Sequence, residues 1–195
     1  RQILVSDEIH HDLTFGIKHT PMALIEGIKD QLIMMTATTK TFNIAGGHVG
    51  NVIIESPGLR DRFAKRMTAL GSSPNAFGLH MATAAYSEGG AAWLDALVKY
   101  LDGNRKLFDA GINAIPGLKS MQLEATYLAW VDFSRTGMTK EDFTARVENS
   151  AKIAVNHGPT FGSGGEQFLR FNIGTTRANI ELAVAKIQTA FKDLQ

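Results

Sequence analysis

The sequence of 195 residues contains no cysteine. That excludes a disulfide framework, a thiolate metal site and a cysteine nucleophile. It also lacks a charge bias, with 20 Lys+Arg against 19 Asp+Glu. A dedicated nucleic-acid binder normally carries a basic excess on one face, so the near-neutral balance argues against that class. No run approaches the roughly eighteen apolar residues of a membrane-spanning helix. No basic-then-apolar leader opens the sequence. What is present is a 44% apolar chain, enough to fill a sizeable core in one medium domain or two small ones. The expectation is a soluble, globular, cytoplasmic protein. Arg1 is not an initiator Met, and Ile3-Leu4-Val5 already reads as a strand. The sequence is therefore expected to be a fragment whose N-terminal part lies elsewhere.

The apolar pattern predicts an α/β arrangement. Gln2–Ser6 reads as a strand buried on both faces, ending in Asp7-Glu8. Pro21–Gln31 carries Met22, Leu24, Ile25 and Ile28 at roughly helical spacing, with Pro21 suited to a first turn. Leu32–Met35 is a second strand, closing in Thr36-Ala37-Thr38-Thr39-Lys40. Strand, helix and strand in about 40 residues predict a βαβ unit with parallel strands. The loop Ala45-Gly46-Gly47-His48-Val49-Gly50 leads to a third strand near Asn51–Glu55. From Pro57 to Ile115 the pattern is mostly helical, broken at Gly71-Ser72-Ser73-Pro74 and closed by Pro116-Gly117. The last third reads as α+β. It has strands over Ala125–Phe133 and Gln167–Ile173 and a capping-box order at Thr139–Asp142 opening a helix to about Ala154. A final helix runs from about Thr176. A subdomain boundary is expected within Ala92–Ile115.

In open α/β sheets, ligands gather beyond the carboxyl ends of parallel strands. Asp7 ends the first predicted strand and Lys40 follows the second. If those strands are neighbours, both side chains face one crevice, where they either pair as a salt bridge or work on a ligand. The cluster from Asp7 to Asp12 is poor for a metal. His10 and His11 are adjacent, so on a strand they point to opposite faces, and the helical H-E-x-x-H pattern is absent.

Two segments carry a family resemblance. Ser6-Asp7-Glu8-Ile9-His10, taken with Lys40-Thr41-Phe42-Asn43-Ile44-Ala45-Gly46, resembles the aminotransferase class I/II family, the fold type I enzymes dependent on pyridoxal 5'-phosphate (PLP). The resemblance is narrower still to the cystathionine β-lyase-type branch, the C–S lyases. It runs from about residue 2 to the C-terminus and covers the second half of a family member. It implies an α/β fold, the C-terminal half of a fold type I PLP-dependent transferase. Residues 1–100 would form part of the PLP-binding large domain and 101–195 the C-terminal small domain.

The resemblance also implies roles. Lys40 would bind the cofactor aldehyde and then act as general base at the substrate Cα. Asp7 would hold the pyridine nitrogen protonated. His10 stands where many members carry a tyrosine that bonds the ring hydroxyl, and histidine there is typical of the lyase-like branch. For the phosphate, the family's serine three residues before the lysine is Ala37 here, so Thr39 is chosen. The family's arginine eight residues after the lysine is His48, which donates through fewer groups. Gln167-Phe168-Leu169-Arg170-Phe171-Asn172-Ile173 resembles the substrate-carboxylate segment, with Arg170 as the anchor. Arg177 is read as structural, and Tyr127 and Trp130 as core residues.

The family's N-terminal half normally supplies a glycine-containing phosphate loop, an aromatic that stacks on the ring and an asparagine near the ring hydroxyl. A homodimer partner often adds a tyrosine to the phosphate. The implied activity is a C–S β-lyase releasing thiol, pyruvate and ammonia from an amino acid. The alternatives left open are a class I/II aminotransferase and a non-catalytic, ligand-sensing module.

Overall fold

The computed structural model describes residues 2–194. The chain forms two compact units that divide between Val98 and Lys99. In the first, β1 (Leu4–Asp7) and β2 (Leu32–Thr36) pair in parallel, with Asp7 opposite Met35. β3 (Asn51–Ile53) pairs antiparallel with β2, giving the order β1-β2-β3.

Parallel strands need a crossover, but it is not the helix expected over Pro21–Gln31. Two 3₁₀ turns stand there instead, Met22–Leu24 and Lys29–Gln31. Gly27 lies between them at φ +79°, a left-handed backbone that no right-handed helix accommodates. Leu24 and Ile25 are exposed, so the apolar spacing serves no core face. A second correction concerns β1. Its residues Leu4 and Val5 are exposed, not buried on both faces, as are Val52 and Ile53 of β3.

Directly after β2, the short helix α1 (Thr38–Thr41) carries Lys40 on its third residue. Three longer helices follow: α2 (Pro57–Ala69), α3 (Ala76–Ala85) and α4 (Glu88–Asn113). Pro57 occupies the first turn of α2, where its missing N–H costs no helical bond. Asn75 caps α3, its Oδ1 accepting the Gly78 N–H at 2.8 Å.

The second unit is built on an antiparallel sheet in the order β4-β5-β7-β6. The strands are β4 (Lys119–Ser120), β5 (Leu128–Asp132), β6 (Asn156–His157) and β7 (Phe168–Asn172). Successive strand residues alternate between faces. Ala129, Val131, Leu169 and Phe171 therefore enter one core with Phe108 and Ile112 of α4. Ile180, Val184 and Ile187 of the last helix, α6 (Arg177–Ala190), complete it. Trp130, Phe168 and Arg170 belong to the opposite set of each strand.

Thr139 caps α5 (Lys140–Ala145) as the capping-box order predicts, accepting the Asp142 N–H at 3.2 Å. The helix stops short of Ala154. It runs into a π turn over Arg146–Ser150, and Lys152 lies at φ +57°. Val147 and Ala151 are still buried, so the apolar spacing met its core although the helix ended early.

Candidate active site

The carboxyl ends of β1 and β2 open on a cavity of about 500 Å³, a size that suits a small organic ligand. Asp7, Thr39, Lys40 and His48 all line it, with Gly50 and Asn51. Four residues expected from the sequence are thus brought together. Asp7 and Lys40 do not form a salt bridge; among the described residues the Lys40 amine has no hydrogen-bond or ion-pair partner. Asp7 uses Oδ1 to accept the Ile9 N–H at 3.2 Å. Thr39 is buried, and neither its hydroxyl nor the His48 ring has a partner among the described residues. His48 ends the 3₁₀ turn Ala45–Gly47 at φ +43°. That region is sparsely populated by residues with a β-carbon, and strain of this kind concentrates at ligand sites. His10 lies in the turn after β1, where its carbonyl accepts the Leu13 N–H at 3.1 Å, and it is not among the cavity-lining residues.

The residues next to Lys40 and Asp7 in the chain, Thr41 and Glu8, are fixed by polar contacts. Buried Thr41, next to Lys40, donates its hydroxyl to Asp12 Oδ2 at 2.9 Å. Glu8 accepts from the His19 ring (2.7 Å), the Met22 N–H (2.9 Å) and the Ser6 hydroxyl (3.0 Å). Burial pushes the Glu8 carboxyl up, but these bonds outweigh it and hold the group below its ordinary value.

Arg170 belongs to the second unit. Its Nη2 donates to Asn156 Oδ1 at 3.0 Å, and its Cζ lies 4.4 Å from the centre of the Phe161 ring. Its Nε is buried without a hydrogen-bond partner. No carboxylate pairs with Arg170 among the described residues, so it is not the ordinary salt-bridge arginine of a strand. An orphaned buried donor costs about 1–3 kcal/mol and calls for an explanation such as a ligand. Arg177 has the structural surroundings expected of it, with Nε donating to Asn104 Oδ1 at 2.6 Å and Nη2 to the Tyr100 carbonyl at 2.8 Å.

Residues 1–187 match the family described as aminotransferase class I and II. The chain belongs to that family. Cystathionine beta-lyase PatB of Bacillus subtilis is 37% identical over 191 residues, covering 96% of this chain and 49% of PatB. Protein MalY of Escherichia coli is 32% identical, with 97% of this chain and 49% of MalY covered. The crystal structure of cystalysin from Treponema denticola, which contains a pyridoxal 5'-phosphate cofactor, superposes with a TM-score of 0.91 at 34% identity. It covers 99% of this chain and 50% of cystalysin. The chain spans about half the length of the curated relatives it matches. The α/β fold is that of the C-terminal half of a fold type I family member.

Sequence reading of this family member missed several residues. Asp12 and Thr41 are far apart in sequence, and no local signal marks their bond. Trp130 was expected in the core but stands on the other face of β5, stacked on Phe168 at 5.3 Å with its edge toward Phe161 at 5.6 Å. Period-two alternation with buried Ala129 and Val131 was the available clue. Tyr127 does pack against the core, and burial raises its phenol above the ordinary value. Phe161 and Asn156 carried no motif.

Proposed function

We propose that the whole protein is a PLP-dependent enzyme acting on amino acids, a C–S β-lyase of the cystathionine β-lyase type. The observation that carries the reading is the convergence of Asp7 and Lys40 on one cavity at neighbouring parallel strand ends. The donor set fits the cofactor: an unpaired amine, a carboxylate with one oxygen uncommitted, and two groups able to donate to a phosphate. When bound, PLP supplies an aldehyde and an electron-withdrawing ring.

In this reading the Lys40 amine would hold the aldehyde end of the cofactor and would take the proton from the substrate Cα. Asp7 keeps a proton on the ring nitrogen. Thr39 and His48 hold the phosphate. His10 serves the ring hydroxyl from the turn after β1, and Arg170 grips the substrate carboxylate. Loss of the Cα proton lets the Cβ–S bond break, with sulfur leaving as thiolate. Addition of water then yields pyruvate and ammonia. The remaining cofactor contacts are assigned to the N-terminal half of the same protein and to a second copy in a homodimer, working in the cytoplasm. Residues 1–100 act here as part of the large domain and 101–195 as the small one.

The second reading, aminotransferase, draws on the same residues and on the family's name. It differs in the fate of the amino group, which passes to a keto acid.

The test uses the whole protein reconstituted with PLP. Pyruvate and free thiol are measured from L-cystathionine without any keto acid. Turnover is expected, and Lys40→Ala should lower it by about 10²–10⁴-fold or more while changing the visible absorption of the bound cofactor. Strict dependence on an added keto acid would overturn the lyase reading in favour of transamination. Unchanged absorption and turnover in Lys40→Ala would overturn the role given to Lys40 and both readings built on it, whereas a wild type that binds PLP but turns over no amino acid, with or without a keto acid, would leave the ligand-sensing module.

A further inference from the structure

Among the described residues, the guanidinium of Arg170 is contacted by neutral groups from one short segment. Asn156 is the register partner of Arg170 on β6 and takes one of its donors. Five residues on, Phe161 presents its ring face to the guanidinium at 4.4 Å. That ring is 51% exposed, so it is not held by burial. It is held from the side by Trp130, edge-on at 5.6 Å and 78°, and Trp130 is itself stacked on Phe168 at 12° between planes. The turn bearing Phe161 is fixed by backbone contact, because a β-carbon at Gly158 or Gly165 would collide with the other's carbonyl oxygen.

A neutral clamp of this kind orients a planar cation without discharging it. A carboxylate from the protein in place of Asn156 or Phe161 would neutralise the arginine and compete with any anionic ligand. A ring face and an amide oxygen do neither. They leave Nε and Nη1 as uncommitted donors.

We propose that Phe161 and Asn156 are positioning residues that hold the Arg170 guanidinium, uncharged neighbours on two sides, in the orientation that receives a substrate carboxylate. The inference rests on the reading of Arg170 as the carboxylate anchor and adds the residues through which that anchor works. Segment 156–161 then acts as one brace, with its strand end supplying the hydrogen bond and its turn supplying the stacking face.

The test is steady-state kinetics on the PLP-reconstituted whole protein with the amino acid that the wild type turns over, L-cystathionine first. Phe161→Leu and Asn156→Ala are each expected to raise KM roughly five- to tenfold with kcat within about twofold, as loss of one cation–π or charge-assisted contact would do. Phe161→Tyr keeps the ring face and should restore KM to near the wild-type value. In an Arg170→Ala background, Phe161→Leu should add no further loss, because its effect passes through the arginine. The proposal is overturned if Phe161→Leu leaves KM unchanged, lowers kcat instead, or still raises KM when Arg170 is gone. If Arg170→Ala itself leaves KM unchanged, the carboxylate-anchor reading fails and takes this one with it. Phe161→Tyr guards against a folding artefact, since a variant that folds and keeps the ring must behave as the wild type.

Discussion

Glu8 shows how one buried charge is made tolerable, and what that implies for pH. Its side chain is almost wholly buried. Burial alone would favour the neutral acid, yet three donors converge on the carboxylate and lower its pKa from the ordinary value near 4.5. A carboxyl depressed in the folded state contributes stability that is full above its unfolded value and is lost as pH falls through the folded one. Glu8→Gln should therefore cost about 1–3 kcal/mol at neutral pH. The loss relative to the wild type should shrink on acidification below about pH 4.5, where the wild type also loses the charge. Urea unfolding midpoints between about pH 3 and pH 7 measure both, and a pH-independent difference would show that Glu8 acts through shape alone. At the same scale, the position of Lys40 at one cavity with Asp7 was legible from its place after the second strand. The absence of an Asp7–Lys40 salt bridge was not, since spacing cannot tell two charges that share a cavity from two that pair.

At the scale of elements, capping and turn chemistry were readable where a side chain acts on its own neighbours. Thr139 accepts the Asp142 N–H and donates to the Asp142 carboxylate at 2.7 Å. Thr139→Ala is expected to cost about 1 kcal/mol, seen as a lower thermal midpoint with an unchanged fold by circular dichroism. A shift indistinguishable from zero would mean that burial of Phe143 alone holds α5. The crossover between β1 and β2 is the counter-example. Its apolar spacing imitates a helix, but Gly27 at φ +79° and exposed Leu24 and Ile25 divide it into two short turns. Periodicity reports a helix only where an apolar face meets a core, and here it meets none among the described residues. The π turn after α5 has the same origin. Val147 and Ala151 reached the core with the spacing expected, while backbone hydrogen bonding followed tertiary demand.

Across the whole molecule, the packing of the second unit is concentrated in one apolar cluster. Phe133 is fully buried there, stacked on Phe143 at 4.6 Å and 11°, with Phe191 at 5.9 Å. Phe133→Ala should lower unfolding stability by about 3–5 kcal/mol, read from denaturant midpoints, and a loss under 1 kcal/mol would show that the neighbouring rings collapse into the space.

By itself the sequence determined the α/β class, the parallel pairing of the first two strands, the helical middle, and the meeting of Asp7 and Lys40 at one crevice. Each is written in local spacing, capping or a contiguous motif, and local information survives in one dimension. Only the tertiary structure decided that Thr41 bonds Asp12, that Trp130 faces away from the core, and that Asn156 and Phe161 flank Arg170. Those contacts arise from strand register and backbone approach between segments remote in the chain. A one-residue slip in register would turn every strand side chain to the other face, so alternation hints at which residues share a face, but only the folded chain fixes which of them meet.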